Sequence, residues 1–319
     1  MNILHGRKAL QNFLQSQKAH FGAAPILIVE SKPLNGVENK QVDEVCRWTR
    51  FVLQQQLGFR TVVYHSQHLF PTLSDQQQAF EMASRVGAST VAAVGSGSAM
   101  DLGKSMSWAE DRILMPATPT AILAAGSSHS LIYDLAEDTL VPIEQKRGGT
   151  IALMHSKTDQ VQEALYACLA IAIDNFVQGT SRDSTFADDV LRMIKEKTSK
   201  VEDAEDLLIR SGQSLRYGLD ENNRSIPLAI VSSLVTNELS SYSAMGVMAS
   251  LVPSLVNVLP DKYSFDFDKE LLDAAPRAIT SSSIESLLAH IRDNQGATGC
   301  YDISEEKLRK VLQFHTVNS

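Results

Sequence analysis

Three short apolar runs rich in β-branched residues recur about thirty residues apart, at 26–29 (ILIV), 61–64 (TVVY) and 90–94 (TVAAV). Helical patterns fill the gaps. In 38–57 the apolar positions Val42, Val45, Trp48 and Val52 fall three and four apart, and in 74–86 Phe80, Met82, Ala83 and Val86 do the same. Runs this apolar read as strands buried on both faces, and strand–helix alternation calls for a parallel sheet wound in both directions. Ligands of such sheets bind beyond the carboxyl ends of the strands. Further strand candidates lie at 112–115 and 150–154.

From residue 159 the texture changes. Stretches 161–177, 187–194, 202–217, 227–239 and 244–258 all carry helical periodicity, and the serines at 281–283 stand where they would cap a helix over 284–291. The expected architecture is an α/β N-terminal doubly wound parallel sheet over 1–156 and an all-α C-terminal domain over 157–319. A chain of 319 residues suits two domains. With a net charge of −8 and no long basic run, nucleic acid is not an expected partner. Nor is a membrane, since no segment reaches the ~18 apolar residues of a span. The opening MNILHGRKALQNFLQSQKAHFG lacks the unbroken apolar core of a secretory signal, so a cytoplasmic location is expected. Cys46, Cys168 and Cys300 are far apart and odd in number, which suits reduced thiols.

The stretch VGSGSAMDLGK, 94–104, places Gly95, Ser96, Gly97 and Ser98 between a strand and a helix. Small residues there let the backbone approach a pyrophosphate, and the amides and dipole of the following helix face the negative charge. Asp101 and Lys104 fall one turn apart on one helix face. Such a turn also serves as a bare strand-to-helix connection.

The segment AFEMASRVGASTVAAVGSGSAMDLGKS, 79–105, resembles the helix, strand and glycine turn of the iron-containing (group III) alcohol dehydrogenases, whose pattern is GGGS-x-x-D-x-x-K. HGRKALQNFLQ resembles that family's opening glycine and helix, PILIVESK its first long strand, LFPTLSD a later loop, and RILMPATPTAILAAG its strand followed by Pro-Thr-Thr. LIYD resembles the short hairpin after it. The resemblance implies a dehydroquinate synthase-like fold, a nicotinamide nucleotide (NAD or NADP) as cofactor and a homodimer. It puts Gly97 and Ser98 on the pyrophosphate with Gly95 and Ser96 beside them, Asp101 near the adenosine, Thr118 and Thr120 at the nicotinamide end, and Lys146 as a further contact. Where family members that prefer NAD carry an aspartate after the first strand, this chain has Glu30 and Ser31. A carboxylate at Glu30 would hold the ribose hydroxyls, whereas Ser31 leaves room for a 2′-phosphate.

The second half departs from that pattern. The family holds a divalent metal with an aspartate and a histidine four apart on one helix and two later histidines. Here YACLAIAIDNFVQG resembles that helix with Ala167 and Ile171 at the ligand positions, YSAMGVMASLVPSLVNVLP puts Met245 at a histidine position, and the other falls near Val231. The eight histidines stand at 5, 20, 65, 68, 129, 155, 290 and 315, so none lies in 156–289. Asp183, Asp188 and Asp189, and Glu202, Asp203, Glu205 and Asp206, read as solvated helix faces rather than oxygen-rich metal sites. His155 reads as structural. After residue 291 the chain offers only YDISEEKLRKVLQFH, where the resemblance leads one to expect further helices, so it reads as a degenerate and C-terminally short member.

The sequence therefore leads to an NAD(P)-dependent oxidoreductase acting on a small alcohol, aldehyde or activated ketone with no metal expected, in which His129, Lys104 or Lys146 supplies the electrophile or proton. The alternative is a nucleotide-binding pseudoenzyme without turnover.

Overall fold

In the computed structural model, residues 2–22, 24–31, 40–66, 71–136, 139–145, 149–154, 161–179, 184–197, 200–215, 227, 244–257, 259, 261–263, 265 and 267–276 are described. The chain divides into two compact units, residues 1–136 with 141–156, and residues 137–140 with 157–319.

The first unit is built on a six-stranded parallel sheet. Its strands are β1 (Asn2–His5), β2 (Ile26–Ser31), β3 (Thr61–Ser66), β4 (Thr90–Gly95), β5 (Asp111–Pro116) and, after two intervening strands, β8 (Thr150–Leu153). The spatial order is β1-β8-β5-β4-β2-β3. Every strand anticipated from the sequence is present within a residue or two. β1 was not anticipated. It is only four residues long and pairs Asn2 with Thr150, a partner that no local pattern reveals.

Because side chains alternate across a strand, Ile26, Ile28, Ala92, Val94, Ile113 and Met115 share one face. They pack against Leu10 and Leu14 of α1 (Arg7–Ser16) and Val42, Val45 and Cys46 of α3 (Lys40–Arg50), with the short α2 (Lys18–Phe21) adding Phe21. The single helix read over 38–57 is instead α3 followed directly by a π-helical turn, Phe51–Gln56. Within it the consecutive residues Val52 and Leu53 both lie in the core, each 1% exposed. The opposite face of the sheet receives α5 (Gly97–Ser105). The remaining elements of this unit are α4 (Leu73–Val86), α6 (Pro119–Gly126) and a hairpin of β6 (His129–Asp134) and β7 (Thr139–Glu144). The hairpin is the one implied by LIYD.

In the second unit α7 (Val161–Val177) is buried along nearly its whole length. Against it pack α8 (Thr185–Lys195), α9 (Val201–Ser214), α10 (Ala244–Ser250) and α11 (Val252–Asn257), and α12 (Lys269–Asp273) follows. A helix apolar on every side is stable in water only when others cover it, and α7 is so covered. No helix among the described residues is long and apolar enough to cross a membrane. The helix read over 244–258 is broken at Leu251, just before Pro253, whose ring has no N–H to continue the ladder. Glu205 is 1% exposed, so it does not belong to the solvated face assigned to it; Glu202, Asp203 and Asp206 are exposed. Residues 228–239 and 281–291, with Asp183, Val231, His155 and the stretch after 291, lie outside the described residues.

Cys46 and Cys168 are buried thiols, and burial pushes both up to about 12, Cys46 further assisted by the nearby Glu30 carboxylate. The thiolate is the reactive form. Iodoacetamide at mildly alkaline pH is therefore expected to leave both unmodified in the folded protein and to label both in guanidinium chloride. Peptide mapping by mass spectrometry reads each site separately.

Candidate functional site

From β2 the chain crosses through α3 on one face to the edge strand β3, whereas from β4 it crosses through α5 on the other face to β5. The connections leaving β2 and β4 thus diverge, and a crevice opens at their carboxyl ends, where α/β sheets bind nucleotides. Glu30 and Ser31 end β2, and Gly95 ends β4, so the sequence motif stands at this switch point.

Gly95 has φ +118°, a conformation that side-chain-bearing residues rarely adopt. A Cβ there would lie 2.7 Å from Ser31 Oγ and 3.2 Å from Val42 Cγ1. The missing side chain makes room for Ser31, whose Oγ accepts from the Ser96 amide at 2.7 Å and lies 2.7 Å from Ser96 Oγ. Ser96 Oγ is also 2.9 Å from Ser98 Oγ. Ser96 stands at the N-cap of α5 in extended backbone, yet its side chain makes no capping bond. α4, by contrast, is closed by a full capping box of Thr72 and Asp75. The first-turn amides of α5, from Gly97 onward, have no intrahelical acceptor and are not taken by their own cap.

Glu30 does not sit where a ribose would meet it. Strand alternation puts it with Ile26 and Ile28 under α3, where its side chain is 4% exposed, 3.3 Å from Arg50 Nε and 3.7 Å from His65 Nδ1. Burial raises its pKa, against the opposing pull of Arg50 and His65. The expectation of a ribose-holding carboxylate at Glu30 is thus corrected.

Asp101 and Lys104 form a buried brace. The Lys104 ammonium donates to the carbonyls of Ala124 at 2.6 Å, Ser127 at 3.3 Å and His129, and lies 3.4 Å from Asp101 Oδ1. Three donors meet three carbonyls. Burial pushes Lys104 down against the favourable Asp101 charge. Burial likewise pushes Asp101 up to about 6, despite Lys104 and a hydrogen bond from the Leu131 backbone. The electrophile role read for Lys104 is corrected on this ground: its side chain is 0% exposed and fully engaged. Asp101 similarly faces Lys104 and β6.

His129 opens β6, with its backbone N–H on Ser127 Oγ at 3.0 Å and its Nδ1 2.9 Å from Ser128 Oγ. Burial lowers its pKa, with Lys104 adding to that and Glu144 opposing it. Thr118 caps α6, its hydroxyl accepting from the Ala121 amide at 3.2 Å, and Thr120 occupies the first helical turn. β4 and β5 run in register through Gly95 and Pro116, and the Ala117 amide donates to the Gly95 carbonyl at 2.9 Å. The start of α5 therefore lies against α6: a Cβ on Gly97 would lie 4.0 Å from the Thr120 carbonyl oxygen and 3.7 Å from Ala124 Cβ. Lys146 lies outside the described residues.

Two residues that place this site were missed. Gly103 lets α5 touch the sheet, and Ser127 ties the start of β6 by bonding His129 at both its amide and its carbonyl. Gly103 had a signal, since it stands six residues after Gly97 on a helix leaving a phosphate-type turn; Ser127 had none.

In the helical unit Ala167, Ile171 and Met245 are 0%, 1% and 3% exposed, buried among the packed helices. Aliphatic and thioether side chains there do not suit a hard divalent cation. Among the described residues no group of three or more His, Cys, Asp and Glu comes together to hold a metal ion.

No family model matches the sequence, and no curated protein matches it. Solved structures do. The sulfoacetaldehyde reductase of Bifidobacterium kashiwanohense in complex with NAD+ superimposes at TM-score 0.66 over 100% of this chain and 98% of that one, with 13% identity. The NADH-dependent butanol dehydrogenase A of Thermotoga maritima gives 0.61 over 99% and 96%, with 14% identity. An iron-containing alcohol dehydrogenase of Thermotoga maritima gives 0.62 over 99% and 97%, with 12% identity. The chain has the fold of the iron-containing alcohol dehydrogenases.

Proposed function

We propose that the α/β unit, residues 1–156, binds a nicotinamide dinucleotide with its pyrophosphate over the first turn of α5. The chain would then act as an NAD(P)-dependent oxidoreductase interconverting a small aldehyde or activated ketone with the corresponding alcohol, without a divalent metal. The observation that carries this reading is the glycine turn at the β2/β4 switch point, with α5 left uncapped and Gly95 in a conformation reserved for glycine.

Gly95, Ser96, Gly97 and Ser98 would hold the phosphates, Ser31 would order the turn, and Thr118 and Thr120 at the adjacent α6 would line the nicotinamide end. When bound, the reduced nicotinamide supplies a hydride to a carbonyl carbon. The residue proposed to give the accompanying proton to the oxygen is His129, through Nδ1 and the exposed Ser128 hydroxyl 2.9 Å from it, since Nε2 is buried; its backbone is clamped by Ser127 and Lys104. No step is assigned to a metal, because the Ala167, Ile171 and Met245 side chains offer none of the ligands it would need.

Titration with NADH and with NADPH, followed by nicotinamide fluorescence, is the decisive measurement. Saturable binding of at least one is expected, and Gly97→Ala, whose Cβ meets only ordinary contacts, should weaken it about tenfold or more with unfolding unchanged. Failure of both nucleotides to bind defeats the reading. His129→Gln should lower carbonyl reduction by about 10² or more while leaving nucleotide affinity intact. Its burial-lowered pKa gives the sign of the pH profile, a rate that falls as pH rises through a value below 6.5. The engagement of Lys104 and the apolar α7 favour a second reading, nucleotide binding without turnover, and a bound nucleotide with no reduction across a panel of aldehydes and keto acids would select it.

A further inference from the structure

The helical unit contains a cavity of about 300 Å³ among α7, α8 and α9, at the lower end of the size range of small-ligand sites. Its floor is apolar, with Phe176 2% exposed and Ala187 0% exposed. Its mouth carries Arg210, with Gln213 and Ser214 one turn further along α9.

The guanidinium of Arg210, planar by resonance, stands over the Phe186 ring, 4.8 Å from its centroid. Its NH1 lies 3.3 Å from Asp189 Oδ2, and the same carboxylate takes Arg192 NH2 at 3.1 Å on its other oxygen. Two guanidiniums therefore share the Asp189 carboxylate. Arg210 makes no other hydrogen bond or ion pair among the described residues, so Nε and NH2 keep their donors. A planar cation with unused parallel donors beside an apolar floor is suited to a carboxylate on a flat apolar body.

We infer that the α7–α8–α9 cavity binds a small aromatic or similarly flat carboxylic acid, its anionic end on Arg210 and its body on Phe176 and Ala187. This site is independent of the nucleotide reading and involves none of its residues. Isothermal titration of the full chain with benzoate tests it, with benzyl alcohol as the uncharged ring and inorganic phosphate as charge without the ring. Benzoate is expected to bind at least about tenfold more tightly than either. Arg210→Gln, at a side chain 47% exposed, should keep the unfolding midpoint and lose at least about tenfold in benzoate affinity. Asp189→Asn releases the guanidinium and should tighten binding. No benzoate binding up to its solubility overturns the inference. So does equal binding of benzyl alcohol or phosphate, or an Arg210→Gln variant that binds benzoate as the unaltered chain does.

Discussion

Gly103→Ala is expected to lower stability by about 3 kcal/mol or more, the upper end of the cost of overpacking a tight core. The added Cβ would stand 2.4 Å from Ala93 Cβ and 3.7 Å from Leu114 Cδ2. Leu114 is in ordinary contact, but Ala93 cannot rotate away, because its Cβ is fixed to the backbone of the central strand β4. Relief requires α5 to lift from the sheet, and α5 carries both the glycine turn and the Lys104 brace. Loss of nucleotide affinity should therefore accompany loss of stability. For a unit of this size the melting temperature should fall by about 6–12 °C. Ala93→Gly removes the opposing methyl, so the double variant should regain much of the loss, less the roughly 0.5–1 kcal/mol penalty of a glycine in a strand. A Gly103→Ala protein that melts like the unaltered chain would show that α5 does not pack on β4 at this distance. A double variant no better than the single one would place the strain elsewhere.

The α/β half was legible because its strands are buried on both faces and so read as continuous apolar runs. The central helix α7 was legible end to end for the same reason. What escaped was set by partners distant in sequence. Lys104 reads as a polar residue near a phosphate turn, and only the fold brings the carbonyls of Ala124, Ser127 and His129 around its ammonium. Glu30 is more instructive, because period-two alternation from Ile26 and Ile28 already points it under α3 and away from the crevice. The commitment of Ser31 to the Ser96 amide depends on Gly95 having no side chain, a contact between separate strands. The π-helical turn after Arg50 was invisible for a different reason. Its residues have ordinary helical propensity, so no local pattern sets it apart from the α-helix it continues.

The brace on α5 yields the other large effect. Lys104→Met, close in length and apolar, is expected to cost about 3–5 kcal/mol, the range for removing one partner of a buried ion pair. Three carbonyls and the Asp101 carboxylate would be left without their cation. The pH dependence separates this from a simple packing defect. Asp101 titrates at about 6 in the folded chain against an ordinary value of 3.8, so the folded state binds its proton more tightly than the unfolded state does. Its contribution to stability is therefore most favourable at low pH and declines as pH rises from about 4 to about 6. Without Lys104 the carboxyl rises further, the decline extends above pH 6, and the variant's deficit should be smaller at pH 5 than at pH 8 in urea unfolding. Asp101→Asn combined with Lys104→Met removes the unpaired charge and should recover part of the loss at pH 8 while flattening this dependence. Equal deficits at both pH values would mean that Asp101 and Lys104 are not electrostatically coupled, and the attachment of β6 to α5 would then rest on the Lys104 carbonyl contacts alone.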